Sequence, residues 1–194
     1  MPVRRYEDDP WASTVSKRGL ACDELISALQ KYVRRSETEE CLLIAREMYE
    51  TSEELAHHLW ERLVFIASAD VNDGTFLAPV IVETLRAQCL RQPWAEQQGW
   101  LFVAQAVRYL CQSPKDMTTE DMCMWGHHVM TEGLRSPRIP EYAIDNHTRR
   151  GQLAGRGVKH FLEVGCQVTN EVPGRDTSYR ARVLEFVDRH EWKE

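Results

Sequence analysis

The chain has 194 residues, 43% of them hydrophobic and 28% charged, with a net charge of −6. This composition suits a folded globular protein long enough to bury a sizeable core. It offers no apolar run of membrane-spanning length, and its acidic balance excludes a protein that coats nucleic acid over its whole surface.

Residues 1–21 are polar, contain a proline and show no clear period, so they are expected to form a mobile N-terminal arm that Trp11 could anchor to a neighbour. Arg4 and Arg5 have no apolar run behind them, which argues against a secretory signal. From Asp23 the pattern turns helical. Leu25, Ile26, Leu29, Tyr32 and Val33 recur at the spacing of one buried helix face. Ser36 with Glu39 reads as a capping box that starts a second helix, carrying Leu42, Leu43, Ala45, Met48 and Tyr49. Thr51 with Glu54 repeats that signal before a third, with Leu55, Leu59, Leu63 and Ile66 inward. Asn72-Asp73-Gly74 stops it. A fourth helix is predicted over Thr75–Arg91, with Leu77, Val80, Ile81 and Leu85 inward and Pro79 in its first turn, where a missing N–H does no harm. A fifth carries Trp100, Val103, Ala104, Val107 and Leu110. A sixth begins at Thr118 and Asp121 and runs through Trp125, Val129 and Met130. Gly133, Pro137 and Pro140 then break the pattern, and short helices are predicted near Val158–Val164 and Ser178–Asp188.

No stretch alternates with period two, so the expectation is an all-α fold, a compact bundle of six to eight helices. One domain is expected over 22–190, with the main bundle at 22–132 and an irregular glycine- and arginine-rich part at 133–190. The six cysteines show no CxxC pair and fall mostly among apolar residues, as reduced, buried thiols of a cytoplasmic protein do.

For chemistry, the sequence is notable for what it lacks. No glycine is followed by lysine, so there is no G-x-x-x-x-G-K-[ST] loop, and nucleotide hydrolysis of that class is not expected. His57-His58 and His127-His128 are adjacent pairs on helices. Adjacent helical side chains diverge by about 100°, which suits them poorly to a shared metal ion. No HExxH pattern is present, and no metal, cofactor or catalytic set is expected.

The densest polar stretch runs from Asp145 to Phe161. Residues 135–160 hold six cations against two carboxylates, a balance of +4 in a chain of −6. His147, Arg149, Arg150, Gly151, Gly155, Arg156, Lys159 and His160 are therefore the candidate surface for phosphate, nucleic acid or an acidic partner. Arginine forks bind phosphate or carboxylate in pairs, and glycines let main-chain amides approach. A plain basic loop is the alternative. A catalytic set of Asp145, His147 and His160 is the least supported, since proximity in sequence is poor evidence of geometry.

Four segments carry a resemblance. Residues 23–37, DELISALQKYVRRSE, are similar to the D-x-x-I-S-A-L-x-K-x-x-R-G-S-D signature that follows the ATPase core in the RarA/MgsA family of clamp-loader-like ATPases. Residues 62–70, RLVFIASAD, resemble that family's R-L-x-x-x-A-S-E-D. Residues 103–110, VAQAVRYL, with Ser113-Pro114-Lys115, resemble its L-A-Q-A-V-x-Y-L and A-P-K, and Ile139-Pro140 falls where the family has V-P. Arg35 stands where the family has glycine, Ala69 where it has glutamate, and the ATPase core is missing. The resemblance covers about residues 20–165. It implies an all-helical, clamp-loader collar-like domain that assembles as a homotetramer and works at replication forks. From it follows the expectation of a non-catalytic oligomerisation or interaction module in DNA replication or recombination, acting through a separate ATPase, another replication protein or DNA, and not at a membrane. The rival expectation is a small nucleotide- or phosphate-binding protein or enzyme using Asp145, His147, Arg149, Arg150, Arg156 and His160.

Overall fold

The computed structural model describes residues 9–72 and 76–189. Among them are nine α-helices and no strand, only two isolated antiparallel bridges, Val15 with Ala21 and Val71 with Lys115. The fold is all-α. The chain divides into two compact units between Leu134 and Arg135.

The first unit contains α1 (Cys22–Arg35), α2 (Thr38–Thr51), α3 (Glu53–Ala69), α4 (Ala78–Cys89), α5 (Trp100–Gln112) and α6 (Thr118–Thr131). Helices α1, α2, α3 and α5 all pack on one another, α4 packs on α3 and α5, and α6 lies against α3. The core is one contiguous cluster that includes Leu29, Met48, Leu59, Trp60, Leu63 and Val107. Each such side chain contributes about 1.5–3 kcal/mol of burial.

The stripes expected on α1, α3 and α5 are buried: Leu25, Leu29 and Val33; Leu55, Leu59, Leu63 and Ile66; Val103, Val107 and Leu110. Two faces differ. Helix α4 buries Ala78, Val82 and Cys89 while Leu77 and Val80 are exposed, because Val80, Ile81 and Val82 are consecutive and leave the phase of the helix open. On α2, Leu43 points outward. The expectations for Asp73, Gly74 and Thr75 lie outside the described residues.

Helix ends also differ from the predicted caps. Ser36 does not open α2. It closes α1 in the left-handed region at φ 60°, with the Glu37 amide reaching back to the Tyr32 carbonyl at 3.0 Å. Ser52, one residue beyond Thr51, caps α3 by accepting the Leu55 amide at 3.1 Å. At α6 the capping group is Asp116, whose Oδ1 accepts the Thr118 amide at 2.9 Å.

The arm expected over 1–21 is, from Asp9 onward, fastened to its own bundle. Trp11 stacks on His58 at 5.1 Å between ring centroids. Arg18 pairs with Glu47 and Glu50, and the Lys17 amide donates to the Thr51 hydroxyl at 3.0 Å. Residues 1–8 lie outside the described residues.

The second unit is short and polar. It holds α7 (Arg149–Leu153), α8 (Val158–His160) running into a π turn at Phe161–Gly165, and α9 (Ser178–Asp188), which packs on α8. Helix α7 falls inside the part expected to be irregular and is not among the short helices predicted there. Its five residues are too few for periodicity to reveal.

All six cysteines are free. Cys22, Cys41, Cys89 and Cys111 are buried, whereas Cys123 is exposed and Cys166 half-buried.

Candidate functional site

In the second unit, Asp145 organises the candidate segment. Its buried carboxylate accepts the His147 amide at 2.9 Å and faces His147 Nδ1 at 3.2 Å. The His147 amide, first, and then its ring hold the Asp145 carboxyl below its usual range against the opposing effect of desolvation. The His147 ring meets Phe161 edge-on at 4.8 Å. Thr148 donates to the Asp145 carbonyl at 3.0 Å and caps α7 by accepting the Gly151 amide at 3.0 Å. His160 is not drawn into the Asp145–His147 pair, and its Nε2 is enclosed without a partner.

The glycines serve packing and turning. A Cβ on Gly151 would stand 1.8 Å from the Asp145 carbonyl oxygen. Gly155, at φ +71°, ends α7. Their amides are already committed, Gly151 to Thr148 and Gly155 to the Gln152 carbonyl at 3.0 Å. Neither is free for a phosphate.

Three of the six cations are paired as well. Arg156 pairs with the Glu141 carboxylate and donates to the Glu141 carbonyl at 3.1 Å and to the Ile144 carbonyl. Arg150 reaches the other Glu141 oxygen at 3.3 Å. Together, with Arg156 the larger effect, they hold Glu141 below the usual carboxylate range. Lys159 pairs with Asp188 and Glu163, and the Asp188 contact raises its ammonium above the ordinary value. Arg149 is exposed and forms no ion pair among the described residues. Three of the six cations, Arg150, Arg156 and Lys159, are thus paired within this unit, Arg150 and Lys159 through side chains that remain more than half exposed. A cavity of about 650 Å³ opens beside it, lined by Asn146, His147, Gln152, Arg156, Phe161 and Val183 among others.

A second surface lies in the first unit. None of the fourteen residues of α6 is buried. Met122 and Met124 are each 66% exposed and Trp125 55%. Helices α3 and α6 flank a groove of about 1160 Å³ whose walls include Phe65, Ala69, Cys123, Met124, Trp125 and His128. Polar groups hold the start of this helix: Asp116 caps it, and Glu120 pairs with Arg34 of α1 at 2.6 Å. The same Arg34 donates to Asp70 at 2.8 Å, and Gln30 reaches the other Asp70 oxygen at 2.8 Å. Asp70 is fully buried. From the sequence, Trp125, Val129 and Met130 read only as apolar positions along a sixth helix. Nothing in periodicity distinguishes a face that packs within its own chain from one left open.

Among the described residues, no three histidine, cysteine or acidic side chains come together as a metal site, and no helix is long and apolar enough to cross a membrane. No protein-family model matches the chain, and no curated protein matches it either.

Proposed function

We propose that this chain is a non-catalytic assembly and interaction module, of the RarA/MgsA C-terminal kind, that forms a homotetramer and serves DNA replication or recombination through a partner. The observation that carries this reading is α6, a fourteen-residue helix with no buried residue and with Met122, Met124, Trp125 and Met130 turned to solvent. Leaving that much apolar surface in water is unfavourable, and Met124 and Trp125 join Phe65 of α3 along the open groove, the kind of exposed apolar surface that marks protein contacts. Methionine and tryptophan are also the side chains enriched at interface centres. The resemblance supplies the replication context. Its charged positions suit a structural role, since Arg34 and Asp70 pair between α1 and the end of α3.

The phosphate-binding rival has the 650 Å³ cavity in its favour, but Glu141 already holds Arg150 and Arg156. Hydrogen exchange followed at rising protein concentration tests the assembly reading. The α6 amides should exchange more slowly as concentration rises. Exchange at α6 that is independent of concentration, in the presence and absence of replication proteins from the same host, would count against it.

A further inference from the structure

We propose that α6 pairs with α6 of a second copy of this chain, antiparallel, about a two-fold axis between Met124 and Trp125, with Asp121 of each copy against His128 of the other. This pairing rests on the assembly reading above and is the contact through which the chain assembles.

The residues involved share one face. Met117, Asp121, Met124, Trp125, His128 and Glu132 recur at i, i+4, i+7, i+8, i+11 and i+15, the spacing of one helical stripe, and all six are exposed. Met117 and Glu132 are the two cap residues, so the stripe runs the length of α6. Met124, Trp125, His128 and Glu132 also line the groove beside α3, so a helix laid on the stripe meets the half-exposed Phe65 as well. The chain itself gives Asp121 and His128 nothing to hold. Among the described residues, neither side chain forms an ion pair or a hydrogen bond.

Symmetry selects the occupant. A two-fold contact presents the same patch from both sides, so the patch must complement itself when reversed. This stripe does. About its midpoint Met124 meets Trp125, a favourable sulfur–aromatic contact. Asp121 meets His128, whose ring N–H donates to the carboxylate. Each of these pairs occurs twice. Met117 and Glu132 fall opposite each other at the rim, where water remains. Other registers oppose like charges, which is costly in an interface. A parallel pair sets Asp121 against Asp121. Moving the antiparallel axis two residues towards the C-terminus sets Asp121 against Glu132.

The test follows dissociation on dilution by light scattering. It compares wild type, Asp121→Lys, His128→Glu and an equimolar mixture of the two variants. Each variant alone should assemble about tenfold more weakly than wild type. The mixture should regain most of the lost affinity, because each variant then carries the charge the other needs. That gain should fade with added salt. Circular dichroism should show unchanged helix content, since both positions are exposed. Wild type at the mass of one chain would overturn the assembly reading and this pairing with it. If wild type assembles, the pairing alone is overturned by Asp121→Lys assembling as tightly, or by a mixture no tighter than its components. Either result leaves α6 to another surface of this chain or to a different protein.

Discussion

Asp70 is the place where the first unit is most vulnerable to one change. Its carboxylate is fully buried, takes Arg34 Nε on one oxygen and Gln30 Nε2 on the other, both at 2.8 Å, and so joins α1 to the end of α3. Arg34 continues to Glu120, so α6 hangs on the same network. Replacing Asp70 with alanine leaves Arg34 and Gln30 without their acceptor. Removing one partner of a buried pair costs about 3–5 kcal/mol. The Arg34 side chain is 28% exposed and keeps Glu120, which lowers the expectation. We therefore expect Asp70→Ala to cost about 2–4 kcal/mol and Asp70→Asn about half of that. Urea unfolding followed by circular dichroism should show a lower midpoint with an unchanged slope. A double-mutant cycle with Arg34→Met should return a coupling of about 1–3 kcal/mol. A loss below about 0.5 kcal/mol for Asp70→Ala, or no coupling in the cycle, would refute this account of how α1, α3 and α6 are tied.

Other regions give independent expectations. Hydrogen bonds from Thr118 and Asn72 hold the Asp116 carboxyl down at about 2. Its folded value lies below its unfolded one, so its contribution is full above the unfolded value of 3.8 and disappears as pH falls through about 2. The stability gap between wild type and Asp116→Ala should accordingly close over that window, and carbon-detected titration should place the Asp116 midpoint near its lower end. Gly99→Ala would set a Cβ 2.6 Å from the Tyr49 hydroxyl and 2.7 Å from Cys89 Sγ, and should lower stability by about 1–3 kcal/mol in urea unfolding. In the second unit, Arg156→Ala removes the group that ties Glu141 and Ile144 together and should speed proteolysis there, whereas Arg149→Ala should leave the cleavage rate unchanged.

Legibility in the sequence followed a physical line. Where large aliphatic residues recur at helical spacing between polar ones, as at Leu55, Leu59, Leu63 and Ile66, one face is unambiguous and the structure buries it. On α4 the burial falls on the small Ala78 and Cys89, which carry little periodic signal beside Val80 and Ile81. The caps slipped by one or two residues, because Ser36, Thr51 and Ser52 compete for neighbouring roles and only backbone geometry decides among them. The candidate segment was visible as a charge cluster. Its ion pairs were not, since Arg156 meets Glu141 fifteen residues away and Lys159 meets Asp188 twenty-nine residues away.

The central claim is that this chain assembles through the open face of α6. Its most direct test is the solution mass by light scattering at micromolar concentration, for wild type and for a Met124→Glu, Trp125→Glu variant. With a chain of 22.6 kDa, wild type should weigh about 90 kDa, four times that mass, and the variant should fall towards one chain while keeping its helical signal. A wild-type mass of 22.6 kDa, or a variant that assembles as well as wild type, would contradict the account.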